Sequence, residues 1–229
     1  MRQDREPGPS EELLAACDAA GRPLDVGRPR GLAHREGLWH RSFHCWIVRA
    51  GPGAPELILQ RRALVKDTHP GCWDVSAAGH FRPGEGVEGG LRELEEELGL
   101  TVSPDALVWL GRHREVLRYP DGLQDREYED VYLLRCDQPL SAYAPDAAEV
   151  DGVAALPAAT LVALARGVVR RARASGRVLG PGGWRDHTVV LTRATLVPRA
   201  GRYYERLARA AARLVRAEPP CVSAIPHRR

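Results

Sequence analysis

Three glutamates, Glu93, Glu96 and Glu97, stand at helical spacing inside an acidic stretch of the chain. On a helix that turns by about 100° per residue, positions i, i+3 and i+4 lie side by side, so three negative charges would share one face. Such a group suits Mg²⁺ or Mn²⁺, hard cations that bind a few carboxylates together with water and phosphate oxygens. The spacing therefore predicts metal-assisted chemistry at a phosphate group. The alternative is a solvated acidic face.

The glutamates need a helix to hold them, and the pattern predicts one from residue 86 to 98. Val87, Leu91, Leu94 and Leu98 share a second face, and Gly99 is a typical C-terminal residue of a helix. Strands are predicted on both sides of this helix, and two further helices near the end of the chain. The predicted strands are Phe43–Ala50, Glu56–Arg61, Trp73–Ser76, Leu107–Leu110, Val116–Tyr119 and Glu129–Cys136; the predicted helices are Ala158–Ala174 and Tyr203–Ala217. A mixed sheet covered by helices is the expected architecture.

Bulk composition excludes several classes of protein. The chain has 229 residues, 44% of them hydrophobic and 28% charged, which is ordinary for a globular protein. Its formal net charge of +3 is too small to predict a nucleic-acid polymer or a membrane surface as the main partner. It has no apolar run of about 18 residues, no secretory signal and no Cys-x-x-Cys pair among its five cysteines. We therefore expect a cytoplasmic protein with a small-molecule substrate.

The acidic stretch is part of a longer pattern. Gly79, five further residues and Glu85 are followed, after six residues, by Arg-Glu-Leu-Glu-Glu-Glu-Leu-Gly-Leu over 92–100. This resembles the Nudix box, which has seven residues in place of the six. Gly89 and Gly90 lie in the shortened part, where each weakens a helix by roughly 1 kcal/mol relative to alanine. The resemblance implies an α/β fold, a Nudix-type α/β/α sandwich with a mixed sheet and, here, a helical C-terminal extension.

The resemblance also implies a role for each matched residue. Glu93, Glu96 and Glu97 would be metal ligands, one of them activating water, and the Gly79 carbonyl would complete the metal shell. Arg92 would orient Glu93 through a charge-assisted hydrogen bond. The candidate catalytic residues of the box are therefore Arg92, Glu93 and Glu97, with Mg²⁺ (or Mn²⁺) as the cofactor. The shortened spacing leaves the role of Glu85 open.

A second likeness lies mainly upstream of the box. Residues 34–46, 59–62 and 66–80 look like the Nudix branch related to isopentenyl-diphosphate isomerase, and the resemblance covers about 20–136. It implies a metal site lined by imidazoles and carboxylates, in which His40 and His80 match by position and His34 matches more loosely. We expect His40 and His80 to contact the substrate.

The same likeness extends to acidic and basic residues. Glu127 and Glu129 fall on a pair of downstream acidic residues, and strand alternation places them on one face. We expect Glu127 to bind metal and Glu129 to be a general base. Arg62 and Lys66 fall on basic residues that contact the diphosphate in the isomerases.

One essential isomerase residue is missing. The catalytic cysteine of that branch corresponds to Ala78, and Cys72 is six residues away. Isomerisation of an alkene needs a proton donor and a proton acceptor, and alanine is neither. The predicted function is hydrolysis of a diphosphate bond in a nucleoside di- or triphosphate or a related organic diphosphate. The alternatives are an isomerase-like enzyme and a non-catalytic Nudix-like binding module. The sequence does not specify the nucleotide or the phosphorus that is attacked.

The predicted organisation has three parts. Residues 1–18 form an N-terminal extension, partly disordered, whose segment 11–18 is either a short helix or one arm of a hairpin. Residues 19–160 form the Nudix domain, and 161–229 a helical extension packed on it, with a Gly/Pro-rich loop over 176–184 and a tail from Pro219 onward. We interpret the arginines of that extension foremost as solvated side chains of amphipathic helices. The alternatives are that the extension covers the substrate pocket, forms a homodimer contact or binds a partner. These arginines are Arg166, Arg170, Arg171, Arg173, Arg206, Arg209 and Arg213.

Overall fold

The computed structural model describes residues 11–120 and 122–217. The strands, in chain order, are β1 (Leu13–Cys17), β2 (Pro23–Pro29), β3 (Trp39–Ala50), β4 (Pro55–Arg62), β5 (Trp73–Asp74), β6 (Ala77–His80), β7 (Leu107–Arg118), β8 (Gln124–Arg135), β9 (Val150–Pro157), β10 (Arg171–Gly180) and β11 (Gly183–Thr192). The helices are α1 (Arg30–Glu36), α2 (Val87–Leu98), α3 (Ala158–Ala165) and α4 (Tyr203–Ala217). The disorder predicted for residues 1–10 and the tail predicted from Pro219 lie outside the described residues.

Strand β3 is the centre of a mixed sheet. It runs parallel to β8 and antiparallel to β4 and β6, while β9, β10 and β11 extend the sheet beyond β4. In this register His40 lies opposite Glu127, and Ser42 lies opposite both Glu129 and His80. Strand pairing therefore brings together side chains that are far apart in sequence, and the predicted mixed sheet is confirmed.

Helices cover the sheet on both faces. Phe43 and Ile47 of β3 pack in one core cluster with Leu94 and Leu98 of α2. Trp46, on the other face of the same strand, packs in a second cluster that includes residues of α3 and α4. Each fully buried leucine contributes about 1.5–3 kcal/mol relative to an exposed one. The α/β/α arrangement is thus fixed by the alternation along β3.

Two adjacent glycines let the start of α2 approach its neighbours closely. A Cβ atom at Gly90 would overlap the ring of Phe43, and one at Gly89 would overlap the carboxylate of Glu85. The helix ends as predicted at Gly99, which has a left-handed φ of 67°. The glycines of the shortened box therefore have a packing role, whatever they cost in helix propensity.

The helix predicted over Ala158–Ala174 is wrong beyond Ala165. Gly167 has a φ of 73°, which ends the helical stretch, and β10 and β11 then form a hairpin across the predicted loop of 176–184. Exposed and buried residues alternate along the first half of β10, the period of a strand. Arg171 and Arg173 therefore lie on a strand. The last predicted helix coincides with α4.

Other local interpretations are resolved by the pairing of strands. Residues 13–17 form β1, which pairs with β2, so the hairpin alternative is confirmed. The two short strands predicted within 107–119 are one strand, β7, interrupted by a bulge near Gly111. Within the described ranges, no helix has both the length and the apolar character needed to cross a membrane. The proposed domain division at residue 160 stays a prediction.

Candidate active site

Glu97 of α2 is directed into the protein rather than toward solvent. Its side chain is buried, and its Oε2 accepts hydrogen bonds from the backbone N–H of Ala78 at 2.9 Å and from Gln60 Nε2 at 3.0 Å. Burial, followed by the negative charge of Glu93, raises the pKa of Glu97 to about 8. Among the described residues, no basic side chain forms an ion pair with this carboxylate. A divalent cation would supply the missing positive charge.

Glu93 lies beside Glu97 and against the backbone of β6. A Cβ atom at Gly79 would overlap the Glu93 carboxylate, so this position requires glycine. Burial raises the pKa of Glu93 to about 7, although Arg92 Nη2 lies 2.9 Å from its Oε1. Arg92 Nη1 also donates to Glu96, whose side chain is 54% exposed. The predicted carboxylate group is therefore split, with Glu97 buried, Glu93 partly buried and Glu96 at the surface.

Three imidazoles form a cluster near these glutamates. The ring centroids of His34, His40 and His80 are 5.2–5.9 Å apart. His40 Nε2 lies 3.3 Å from Asp125 Oδ1 and 3.6 Å from Glu127 Oε1, and His80 Nε2 lies 3.3 Å from the same Glu127 oxygen. Helix α1 and strands β3, β6 and β8 each contribute to this five-residue cluster.

The charges of this histidine cluster are unevenly distributed. Burial lowers the pKa of His34 to about 4. Burial acts in the same direction on His40 and His80, but neighbouring carboxylates outweigh it and raise their pKa values to about 9 and 10. The pKa of Glu127 is held well below its usual range because its two imidazole partners outweigh the effect of burial.

The histidine cluster fits a divalent cation. Nε2 of His34 and Nε2 of His40 lie 3.7 and 3.3 Å from Oδ1 of Asp125, but these three buried atoms form no well-directed hydrogen bond within the described chain. Potential ligand atoms of His34, His40 and His80 lie within 4.8 Å of one another, and so do those of His40, Asp125 and Glu127. Imidazole nitrogen and carboxylate oxygen are ligands for Mn²⁺, Zn²⁺ and related ions. Buried polar atoms that form no hydrogen bond destabilise the folded state unless such an ion is bound.

Glu129, the predicted general base, is enclosed. It is fully buried, and its Oε1 accepts a hydrogen bond of 2.8 Å from Nη1 of Arg199. The other terminal nitrogen of Arg199 donates to Asp74. Burial raises the pKa of Glu129 well above its usual range, against the opposing effect of Arg199. A role in catalysis for Glu129 stays a prediction: its Oε1 is bound by Arg199, while its Oε2 is buried without a hydrogen-bond partner in the described chain.

The predicted diphosphate contacts already have partners inside the protein. Arg62 donates to the backbone carbonyl and the hydroxyl of Thr68 at 2.9 and 3.0 Å. Lys66 forms an ion pair with Glu149. Substrate would have to compete with these contacts, so the roles of Arg62 and Lys66 also stay predictions.

The site contains residues that sequence reasoning missed. Asp125 lies two residues before Glu127, so strand alternation would have found it. Gln60 and Asp74 gave no such indication, and Arg199 lies far outside every motif. Ala78 carries no proton donor, and the cysteine next to it in the register, Cys45, packs in the cluster on the α2 face.

Comparisons with known proteins find a family model, curated relatives and a solved structure. A family model described as the NUDIX domain matches residues 38–176. An uncharacterized Nudix hydrolase of Clostridium acetobutylicum is 33% identical over 201 residues, which cover 87% of this chain and 97% of that protein. The isopentenyl-diphosphate Delta-isomerase of Brevibacterium linens is 31% identical over 140 residues, or 61% of this chain and 73% of the isomerase. The structure of DR0079 from Deinococcus radiodurans superposes with a TM-score of 0.49 at 24% identity, covering 69% of this chain and 89% of that one.

Proposed function

The chain belongs to the Nudix family and is a Nudix hydrolase, and from this premise we propose that it cleaves the diphosphate bond of a nucleoside di- or triphosphate, or of a related organic diphosphate, with bound Mg²⁺ or Mn²⁺. One observation carries the proposal. Glu93 and Glu97 are drawn in from solvent against the backbone of β6 and have no basic partner sufficient to keep their pKa values low. That arrangement is favourable once a cation is bound.

Each residue of the box has a separable task in this proposal. Glu93, Glu97 and the Gly79 carbonyl hold the cation, with Glu96 joining them from the surface. Arg92 positions Glu93, while Gln60 and the Ala78 N–H orient Glu97. A bound cation neutralises the diphosphate and lowers the pKa of a coordinated water. Glu93 and Glu97 are the nearest candidates to accept the proton of that water.

The histidine cluster provides a second cation position in the same proposal. His34, His40, His80, Asp125 and Glu127 supply imidazole and carboxylate ligands, with Glu127 as the member predicted to bind metal. The substrate contacts predicted for His40 and His80 would then be made through the cation. A cation held by the histidine cluster would add a second positive charge for the diphosphate.

The test is a panel of nucleotides and organic diphosphates, assayed with Mg²⁺ or Mn²⁺ for release of phosphate or pyrophosphate. Glu97→Gln should lower kcat by about a thousandfold, because a lost metal ligand removes several kcal/mol of transition-state stabilisation. Glu95→Gln is the matched control, since it makes the same change at an exposed position of α2. Equal rates for the two variants, or no turnover of any substrate by the wild type, would contradict the proposal.

Isopentenyl diphosphate belongs in the same panel because of the likeness to the isomerase. We expect no shift of its double bond, since Ala78 offers no proton donor. A shifted double bond would favour the isomerase alternative. The cytoplasmic location and a homodimer stay predictions.

A further inference from the structure

A groove of about 300 Å³ lies between the edge strand β7 and helix α4. Strand β7 pairs with β8 alone among the described strands, so one side of it is open. The residues that line the groove include none of the predicted metal ligands or substrate contacts. This volume is at the lower end of ligand pockets, which span about 300–1,000 Å³.

The groove combines an apolar floor with a basic rim. Leu110 of β7, Val131 of β8, and Leu207 and Ala210 of α4 are the apolar residues of its lining. Three exposed arginines, Arg206, Arg209 and Arg213, line it as well, at positions i, i+3 and i+7 of α4.

These three arginines carry uncompensated charge. In the part of the chain that the structure describes, none of them forms an ion pair with a carboxylate. Glu205, the acidic residue in the first turn of α4, is paired with Arg166 instead. Arg112, which also lines the groove, is paired with Asp130. Three fixed positive charges therefore stand beside an apolar surface.

We propose that this groove is a binding site for an organic phosphate, distinct from the candidate active site. The arginines hold the phosphate, because a guanidinium group donates two parallel hydrogen bonds to phosphate oxygens. The apolar or aromatic body of the ligand lies on the floor. An inorganic anion would use the rim alone, so the floor selects for a phosphate ester.

One residue of the groove links it to the surroundings of Glu129. Tyr203 lines the groove, and its ring centroid lies 4.9 Å from that of His113. Its hydroxyl accepts a hydrogen bond of 2.9 Å from Trp46 Nε1 and lies 3.2 Å from Nδ1 of His44. A ligand in the groove therefore contacts a residue that holds His44 in place beside Glu129.

Calorimetric titration of the full chain with AMP in EDTA tests the proposal, with adenosine as the uncharged comparison. We expect AMP to bind at least about tenfold more tightly than adenosine, because hydrogen bonds to charged groups outweigh neutral ones. Arg209→Ala/Arg213→Ala should weaken AMP binding by about tenfold or more. Arg202→Ala/Arg216→Ala, which removes the same charge from exposed positions outside the groove, should change it by less than about threefold because salt screens distant charges.

A second background separates this site from the active site. In Glu93→Gln/Glu97→Gln, AMP should bind in EDTA as it does to the wild type, whether or not the chain is a hydrolase of the proposed class. Binding that is lost in this background would place AMP in the active site and overturn the proposal. The absence of AMP binding up to millimolar concentrations, or an equal loss in the two arginine variants, would overturn it as well.

Discussion

Glu97 and Glu129 are both enclosed by the fold, but the chain supplies a cation to only one of them. Glu129 is hydrogen-bonded to Arg199, which reaches it from a segment 70 residues further along the chain. Glu97 receives neutral donors, a backbone N–H and the amide of Gln60. The two carboxylates therefore differ in their partners. Glu129 belongs to a permanent ion pair, whereas Glu97 lies where an exchangeable cation can bind.

This difference distinguishes carboxylates with a structural role from carboxylates that are candidates for catalysis. A buried charge needs a partner, and an arginine that is covalently part of the chain cannot be exchanged. Glu129 and Asp74 are thereby committed to holding the segment before α4 against the sheet. Glu93 and Glu97 have raised pKa values in the absence of such a partner, and in the proposed function a metal ion would supply it.

Of the variants considered, Arg199→Met should lower the stability of the protein most, because it removes the permanent cation beside Glu129. The substitution keeps an apolar stem but leaves Glu129 and Asp74 buried without their cation, and breaking such a pair costs about 3–5 kcal/mol. Urea unfolding should show a free energy of unfolding lower by this amount. Arg202→Met, at an exposed position three residues away, is the control and should stay within about 0.5 kcal/mol of the wild type.

A second variant tells whether the charge or the packing of Arg199 matters. Adding Glu129→Gln to Arg199→Met removes one of the two carboxylates that lack a partner, so it should restore part of the lost stability. If Arg199→Met unfolds at the wild-type urea concentration, the ion pair is not what holds this segment.

A smaller effect on stability should appear when the pH is changed, because Glu93 and Glu97 lack a permanent cation of the kind that Glu129 has. Burial raises the pKa of Glu93 to about 7 and of Glu97 to about 8, and neighbouring carboxylates raise those of His40 and His80 to about 9 and 10, against the effect of burial. All four folded values lie above the unfolded ones, so their contribution to stability is present at low pH and is lost as the pH rises through them.

Thermal unfolding in EDTA should therefore show a Tm that falls between pH 7 and 9. The loss from Glu93 and Glu97 alone is on the order of 2 kcal/mol, or about 4–8 °C for a chain of this size, and the titration of His40 and His80 adds to it. Saturating Mn²⁺ should remove the decline, because it replaces the protons as the positive partner. A Tm that is constant or rises over this range without metal would show that these groups are not held as the structure places them.

The features that depend on local sequence could be predicted. The spacing of Glu93 and Glu97 and the apolar residues of α2 recur within one or two turns, so a helix and its acidic face could be read directly. The strands β3, β4 and β8 were similarly visible. The helix predicted over Ala158–Ala174 failed beyond Ala165 because alanine and arginine favour a helix locally, and tertiary pairing with β9 and β11 outweighed that preference.

Long-range contacts could not be read in this way. Arg199 follows a proline in a segment without periodicity, and its partners Asp74 and Glu129 lie 125 and 70 residues away. Nothing in the local pattern distinguishes it from the exposed arginines nearby. The ion pair of Glu129 with Arg199 is therefore a tertiary contact that only the structure reveals.

Gln60→Met should have the smallest effect, and it tests whether the neutral donor beside Glu97 supports metal binding. Gln60 is buried and donates its amide to Glu97 at 3.0 Å, and methionine has a similar shape without the donor. Because a residue that orients a ligand supports metal affinity, Mn²⁺ binding measured by calorimetry should weaken by about tenfold. The free energy of unfolding in EDTA should change by less than about 1.5 kcal/mol, since volume is conserved. Gln138→Met, outside the site, should leave Mn²⁺ affinity unchanged; an unchanged affinity in Gln60→Met too would mean that Glu97 needs no neutral donor to bind its cation.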